Sequence, residues 1–178
     1  MLWSALQIIL LVYLGVAALI YFRQSSLVFL PEIDRGFRAS PADIGFPANR
    51  IVLFGESLGG GMAAPLAAEN RPAALVPAST FTSVPDLKSG LYPLLPIRLL
   101  ARIRYDTVAR LSRVACPVLV IHSRNDDIIP FVHGQRLFAA AHPPKQFLEI
   151  EGDHNAGFVF GRDDWVRKLD GFLAQALP

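Results

Sequence analysis

Three polar residues follow apolar segments of the chain and have the types that nucleophilic catalysis requires. Ser57 lies at the centre of residues 55–59 (Gly-Glu-Ser-Leu-Gly), and Asp126 and His154 follow it along the chain. A serine hydroxyl is a weak nucleophile, so it needs a general base, an acid that orients the base, and donors for the developing oxyanion. Serine, acid and histidine in this order are therefore candidates for one catalytic site.

The residues around Ser57 fit a nucleophile elbow, a tight turn from a strand to a helix that exposes the serine hydroxyl. An apolar run at 50–54 comes before the serine, and a small, Ala-rich stretch at 59–70 comes after it. We expect Gly55 and Gly59 to let the turn pack closely, because a strained turn leaves no room for side chains. The alternative is a Gly-rich turn with an ordinary serine.

Asp126 comes just after the apolar run at 117–121, within residues 125–130 (Asn-Asp-Asp-Ile-Ile-Pro). A carboxylate directly past a strand end lies at the edge of a parallel sheet where ligands bind. Asp127 competes for this role, but Asp126 has the favoured spacing to the aliphatic residue and proline that follow. The alternative for Asp126 is an acid at a helix start, near the positive end of the helix dipole.

His154 lies in a short polar loop, residues 152–155 (Gly-Asp-His-Asn), after the apolar run at 146–150. A loop with glycine can lift an imidazole toward the elbow, whereas the alternative is an exposed loop histidine. The other three histidines are weaker candidates, because they lie at a strand end, inside a helix and in a Pro-flanked turn. They are His122, His133 and His142, in that order.

Strand-like and helix-like segments alternate from residue 50 onward. Short apolar runs predict buried strands, at residues 50–54, 74–76, 117–121 and 146–150. Longer segments predict helices, at residues 59–70, 97–104, 130–141 and 163–176, and a Pro-rich stretch lies at 84–96. Strands that alternate with helices imply a parallel sheet with helices on its faces, so the predicted fold class is α/β.

Two prolines conflict with the elements around them. Pro65 falls inside the helix at 59–70, where proline removes a backbone hydrogen bond. Pro77 falls late in the second strand, where proline is tolerated mainly near an edge or an end.

The N-terminal segment is unlike the rest of the chain. Residues 2–22 contain no charged residue, and about 20 apolar residues suffice to cross a bilayer as a helix. Arg23 follows the segment and nothing basic precedes it, so the positive-inside tendency favours a cytoplasmic C-terminal domain. We predict a single-pass membrane anchor at 1–23, a linker at 24–49 and a folded domain at 50–178. The alternatives for the first segment are a cleaved signal peptide and a buried core helix.

The composition of the 178-residue chain argues against several classes of function. The net charge is +2 and charges of both signs are interspersed, so nothing indicates binding to nucleic acid. The sequence has neither the His-Glu-x-x-His pattern nor a Cys/His cluster nor a Gly-rich nucleotide loop, so we expect no metal and no cofactor. Its single cysteine, Cys116, excludes an internal disulfide and is expected to be a buried, inert thiol.

Residues 50–178 resemble the C-terminal half of an α/β-hydrolase. The matching pieces are residues 51–60, 116–123, 126–130 and 152–155. The apolar anchor followed by residues 27–31 (Leu-Val-Phe-Leu-Pro) resembles the small membrane-anchored serine hydrolases of the same superfamily. The resemblance implies a truncated α/β-hydrolase fold, with about four mostly parallel strands flanked by helices after an N-terminal transmembrane helix.

The same resemblance implies hydrolysis of an ester, thioester or amide through an acyl-enzyme, with a small-molecule or acyl substrate and no cofactor. In that reaction Ser57 attacks, His154 is the base and Asp126 orients it. The backbone N–H of Leu58 is one oxyanion donor.

The segment before the elbow departs from the family pattern. In the family several strands come first, and one is followed by a His-Gly loop that supplies the second oxyanion donor. At about 30 residues per strand-helix-strand unit, the family pattern predicts an internal deletion of roughly a hundred residues between Pro47 and Asn49. The alternative function is therefore a non-catalytic hydrolase-like remnant, or a membrane-anchored binding or interaction module. The elbow strand also becomes a sheet edge, which predicts self-association.

Overall fold

The computed structural model describes residues 2–28, 45–91, 93–157 and 162–177. Contacts divide the chain into two units: a helical unit, residues 1–37 with 84–104, and a sheet unit, residues 38–83 with 105–178. Most of the predicted linker, residues 29–44, lies outside the described residues. The division into anchor, linker and domain therefore stays a prediction.

Helices and strands alternate through most of the described residues. In chain order they are α1 (Leu2–Val28), β1 (Val52–Glu56), α2 (Leu58–Asn70), β2 (Ala74–Ala78), α3 (Val84–Leu91), α4 (Ile97–Leu100), α5 (Thr107–Leu111), β3 (Val118–Ser123), α6 (Val132–Ala140), β4 (Lys145–Ile150) and α7 (Arg162–Ala176). A short 3₁₀ turn at Ala48–Arg50 comes before β1.

The four strands form one parallel sheet in the order β1-β2-β3-β4, which confirms the predicted fold class. Every residue of β2 and β3 is buried, as expected for inner strands of a parallel sheet covered on both faces. β1 ends this strand order and is only partly buried. Because all four strands run the same way, Ser57, Asp126 and His154 follow strand ends at one edge of the sheet.

Helices cover both faces of the sheet. On one face α2, α5 and α6 pack on the sheet through small and aliphatic side chains, among them Ala64, Leu111 and Leu137. On the other face α7 places Phe172 in a cluster with Ile121 of β3. The sheet is therefore the middle layer of three, and apolar burial on both faces drives its formation.

Both conflicting prolines lie inside regular elements. Pro65 is inside α2, which nevertheless continues to Asn70. Pro77 lies in the inner strand β2, between Leu75 and Ser79, whose N–H groups donate to carbonyls of the β3 segment at 3.0 and 2.8 Å. Since proline has no N–H, β2 lacks the corresponding bond at position 77. The structure places Pro77 near a strand end but not at a sheet edge.

The helical unit contains α1, α3 and α4. The Trp3–Arg23 stretch of α1 is long and apolar enough to cross a membrane, by length and composition. The hydroxyl of Tyr13 donates to the carbonyl of Leu94 at 3.1 Å. The guanidinium of Arg102 lies over the ring of Tyr21, 5.3 Å from its centre.

Some helices differ from those that the sequence predicts. α4 covers only Ile97–Leu100 of the predicted helix at 97–104. The Pro-rich stretch begins with α3, where Pro85 occupies the first turn, a position that proline tolerates. The sequence analysis missed α5, although Asp106 caps it by accepting the N–H of Ala109 at 3.1 Å.

Candidate active site

The elbow that carries Ser57 joins β1 to α2. Ser57 has φ 52° and ψ −120°, a strained backbone conformation for a residue with a side chain. Its N–H donates to the carbonyl of Ala78 at 2.9 Å, and its carbonyl accepts from the hydroxyl of Thr80. Both partners lie at or just after the end of β2, so the neighbouring strand holds the strained turn in place.

Two glycines make the sharp turn sterically possible. A Cβ atom on Gly55 would lie 2.5 Å from the carbonyl oxygen of Gly59, and one on Gly60 would lie 2.5 Å from the Thr80 hydroxyl. A Cβ atom on Gly59 would meet no described atom within 4 Å outside its own turn. The expectation that Gly59 must lack a side chain is therefore wrong: its carbonyl is the surface against which Gly55 packs.

The turn after β3 directs the carboxylate of Asp126 toward the imidazole of His154. Oδ1 of Asp126 accepts the backbone N–H groups of Ile128 at 3.0 Å and Ile129 at 2.7 Å. The Asp126 side chain is fully buried, and these two donors offset the cost of burying its charge. Oδ2 lies 2.9 Å from Nδ1 of His154.

His154 connects Asp126 to Ser57. Its Nε2 lies 3.0 Å from Oγ of Ser57, although the two residues are 97 positions apart. An imidazole whose Nδ1–H donates to a carboxylate presents a lone pair at Nε2, so the serine hydroxyl can donate there. The structure thus brings together all three residues that the sequence singles out, in one continuous chain of hydrogen bonds.

Asp127, the competing acid, makes a different contact. Its Oδ1 accepts the backbone N–H of His154 at 3.0 Å. This bond lowers the pKa of the Asp127 carboxyl below its usual value. Of the two adjacent acids, Asp126 contacts the imidazole ring and Asp127 holds the backbone of the loop that carries it.

Ser123, the last residue of β3, provides a second link between the two loops. Its hydroxyl donates to the carbonyl of Gly152 and accepts the N–H of Asn125 at 3.1 Å. Gly152 has φ 98°, a conformation that favours glycine. The sequence analysis missed Ser123, whose position at a strand end gives no sign that a partner 29 residues away bonds to it.

Comparison with known proteins gives the architecture a name. No family model matches the chain. The chain superposes on the esterase Pf2001 of Pyrococcus furiosus with 16% identity and a TM-score of 0.58, over 73% of this chain and 55% of that one. It also superposes on an acylaminoacyl peptidase of Pyrococcus horikoshii with 18% identity and a TM-score of 0.60, over 76% of this chain and 25% of that one. A human relative, alpha/beta hydrolase domain-containing protein 17B, is 27% identical over 152 residues. The chain has the α/β-hydrolase fold.

The chain covers only part of the length of its curated relatives. The human relative matches 82% of this chain, but the match covers only 49% of the relative. The uncharacterized protein Rv2307c of Mycobacterium tuberculosis is 45% identical over 107 residues, which are 60% of this chain and 38% of that protein. The chain spans about half the length of these curated relatives or less, which is consistent with the truncation that the sequence predicts.

The oxyanion-binding groups of this α/β-hydrolase fold are only partly accounted for. The backbone N–H of Leu58 lies in the first turn of α2, where N–H groups have no acceptor within their own helix. It is therefore available next to Ser57. The described segment before β1, residues 45–51, contains no His-Gly pair, so that segment does not supply the second donor expected from the resemblance.

His122 lies next to Asp126 and is not part of the hydrogen-bonded chain that runs from Ser57 through His154 to Asp126. It is fully buried, and its Nε2 lies 2.9 Å from the carbonyl of Ile129 and 3.6 Å from Oδ2 of Asp126. Burial lowers the pKa of His122, so its neutral ring donates Nε2–H to that carbonyl. Its Nδ1 has no partner among the described residues. His122 therefore supports the acid turn, as a structural histidine would.

The remaining weaker candidates make contacts elsewhere in the sheet unit. Nδ1 of His133 lies 3.0 Å from the hydroxyl of Thr82, and Nε2 of His142 lies 2.9 Å from the carbonyl of Ser112.

Burial raises the pKa of the Cys116 thiol to about 11. Within the described part of the chain, no group of three or more His, Cys, Asp or Glu side chains is arranged to hold a metal ion.

Proposed function

We propose that this protein is a membrane-anchored serine hydrolase that cleaves an ester, thioester or amide through an acyl-enzyme on Ser57. The observation that carries the proposal is the hydrogen-bonded chain from Ser57 through His154 to Asp126, with distances of 3.0 and 2.9 Å. These distances lie within the reach that proton transfer requires. The name of the human relative supports hydrolysis as the reaction class.

The first half-reaction forms the acyl-enzyme. Oγ of Ser57 attacks the substrate carbonyl carbon while Nε2 of His154 takes the hydroxyl proton. Asp126 accepts the Nδ1–H bond throughout and stabilises the imidazolium that forms. His154 then gives its new proton to the leaving alcohol, thiol or amine, and the bond between that group and the acyl carbon breaks.

The second half-reaction releases the acid. A water molecule attacks the acyl carbon, and Nε2 of His154 takes one of its protons. The tetrahedral intermediate collapses, the proton returns to Oγ of Ser57, and the carboxylic acid leaves. The same imidazole therefore acts as a base and then as an acid in each half of the cycle.

Leu58 supplies one donor to the oxyanion in both tetrahedral intermediates. Loss of one donor from an oxyanion hole lowers the rate by about 10²–10³. With Leu58 as the one assigned donor, we expect slow turnover. The rates of acylation and deacylation should be lowered to a similar extent, because both steps pass through an oxyanion.

The N-terminal helix is the proposed anchor. Its Trp3–Arg23 stretch meets the length and composition of a single span. Arg23 at its C-terminal end favours a cytoplasmic position for the sheet unit. Carbonate extraction of membranes tests the anchor, because release of the protein into the supernatant would exclude a spanning helix.

A fluorophosphonate probe, which reacts with activated serine hydroxyls, tests the catalytic proposal. We expect the full chain to be labelled, Ser57→Ala to be unlabelled and Asp126→Asn to be labelled much more slowly. The matched control is Ser112→Ala, which removes an exposed hydroxyl at the end of α5, outside the site, and leaves Ser57 in place. Equal labelling of the unchanged protein and Ser57→Ala would contradict the proposal.

A second candidate function is a non-catalytic hydrolase-like remnant that binds an acyl compound without turning it over. The absence of a His-Gly pair in residues 45–51 favours it. This candidate predicts that the chain binds an acyl compound without probe labelling and without product. Self-association through β1 also remains a proposal, which sedimentation of the detergent-solubilised protein would test.

A further inference from the structure

The helical unit exposes an apolar loop beside α1. We define the apolar loop as Pro93–Leu100, which ends in the short helix α4. Leu94 and Leu99 are 88% and 83% exposed, which is extreme for large aliphatic side chains. Apolar surface of this kind promotes aggregation when it is exposed to water, and it commonly marks a contact with a membrane or a partner.

One face of α1 aligns the apolar loop with the proposed membrane span. Tyr13, Ala17 and Tyr21 follow one another at intervals of four and lie on the same face of the helix. Ala17 is buried, and Tyr13 donates to the Leu94 carbonyl at 3.1 Å. The loop therefore packs along α1 itself and shares whatever environment α1 occupies.

The two tyrosines measure how far the loop extends along the span. Arg102 stacks over Tyr21, two residues before the end of the Trp3–Arg23 stretch. Tyr13, eight residues earlier, lies about 12 Å farther along the helix axis at 1.5 Å per residue. The Leu94 carbonyl is at the level of Tyr13. The segment from Leu94 to Arg102, which contains most of the apolar loop, thus runs from the level of the middle of the span toward its C-terminal end.

Part of the backbone of the apolar loop is paired within the protein, as a place without water requires. Irregular backbone is tolerated at membrane depth only if its polar groups have partners within the protein. Pro93 and Pro96 have no N–H, and the N–H groups of Ile97, Leu99 and Leu100 donate to carbonyls within the loop at 2.8 to 3.1 Å. The Leu94 carbonyl and the Tyr13 hydroxyl satisfy each other.

The charges near the apolar loop fit the border between hydrocarbon and headgroups. Arg98 pairs with Asp86 at 3.0 Å, and its long aliphatic stem can lie along apolar surface while the charged end reaches outward. Arg102 stacks on Tyr21, and tyrosine is enriched at membrane interfaces.

From these contacts we infer that the apolar loop inserts into the hydrocarbon of the leaflet next to the C-terminal end of α1. The inference rests on the proposed anchoring through α1. The apolar loop contacts the acyl region of a phospholipid bilayer, with Leu94 and Leu99 against the lipid chains. The chain then holds to the membrane through two elements, a span and a loop that reaches toward the level of the middle of that span.

Depth-dependent quenching in vesicles tests this inference on the full chain. In a Cys116→Ala background, single cysteines replace Leu94 or Leu99 and carry an environment-sensitive dye. The protein is reconstituted in phosphatidylcholine–phosphatidylglycerol vesicles with nitroxides on either acyl chains or headgroups. Leu10→Cys, inside the proposed span, is the lipid control, and Leu66→Cys, an exposed leucine of α2, is the aqueous control.

We expect dyes at Leu94 and Leu99 to lose intensity with acyl-chain nitroxides as the dye at Leu10 does, whereas the dye at Leu66 keeps its intensity. If only Leu10 responds, the inference is overturned while the anchor stands. If Leu10 also fails to respond, the anchoring and the inference both fall, and probe labelling of Ser57 still decides catalysis separately. If the dye at Leu94 is not quenched and the unlabelled Leu94→Cys protein forms a disulfide dimer on oxidation, the loop contacts a second copy and the inference is overturned.

Discussion

The elbow at Ser57 and the turn at Asp126 hold two residues of one site by different physical means. The elbow depends first on steric fit, because no side chain fits at Gly55 or Gly60, and two hydrogen bonds to the neighbouring strand add to it. The acid turn depends on hydrogen bonds, because Oδ1 of Asp126 accepts two backbone N–H groups. Mutations that add atoms should therefore harm the elbow, whereas mutations that remove acceptors should harm the acid turn.

The largest expected effect is on the acid turn. We expect Asp126→Asn to lower kcat by about 10⁴, because an amide cannot stabilise the imidazolium and favours the wrong tautomer of His154. Asp127→Asn keeps an oxygen that can accept the N–H of His154, so its loss should be far smaller. Steady-state hydrolysis of an activated ester compares the two variants. A larger loss in Asp127→Asn would reverse the assignment of the two acids.

Adding one methyl group to the elbow should have the next largest effect. We expect Gly55→Ala to destabilise the fold by about 3 kcal/mol, because the new Cβ would overlap the backbone of Gly59. Gly59→Ala is the matched control and should change the unfolding free energy by no more than about 1 kcal/mol. Denaturant titration measures both. Equal destabilisation would show that the elbow is not sterically constrained in this way.

The bond from Thr80 to the Ser57 carbonyl should have a smaller effect. Thr80→Val has nearly the same shape but no hydroxyl, so we expect it to destabilise the protein by about 1–3 kcal/mol. Thr80→Ser retains the hydroxyl and removes a methyl group instead. Probe labelling of Ser57 should slow in the valine variant more than in the serine variant, and the opposite ranking would assign Thr80 a packing role alone.

The smallest effect concerns Asp127 and pH. Its pKa is lower in the folded protein than in the unfolded chain, because its carboxylate accepts the N–H of His154. Its contribution to stability is therefore present above the unfolded pKa of about 3.9 and is lost as pH falls through the lower folded pKa. The stability of the unchanged protein should fall relative to Asp127→Asn at acidic pH. A difference that stays constant with pH would contradict this contribution.

The sequence predicts the site residues better than it predicts what holds them. Ser57, Asp126 and His154 each follow an apolar strand, and the ends of parallel strands meet at one edge, so local patterns suffice to bring them together. The bond from the Asp127 side chain to the backbone N–H of His154 has no such pattern, because every residue except proline carries that donor. The contact of Gly60 with Thr80 is equally hard to predict, because it depends on the pairing of β1 with β2.

The elements that the sequence analysis misplaced are short or contain proline. α4 ends after four residues and α5 has five, so neither offers enough turns for an apolar period. The parallel sheet was predictable because each strand is a compact apolar run between turns. The contact of Tyr13 with Leu94 joins residues 81 positions apart, and nothing local to either one indicates it.

The separation of Ser57 and His154 along the chain also has a kinetic consequence. The two residues follow opposite ends of the sheet order, β1 and β4, and each pair of neighbouring strands must be joined by a crossover before they meet. Parallel pairing of distant segments is slow to form, because loop closure precedes the stabilising contacts. Reactivity of Ser57 toward a covalent probe, followed during refolding, would therefore time the completion of the whole sheet.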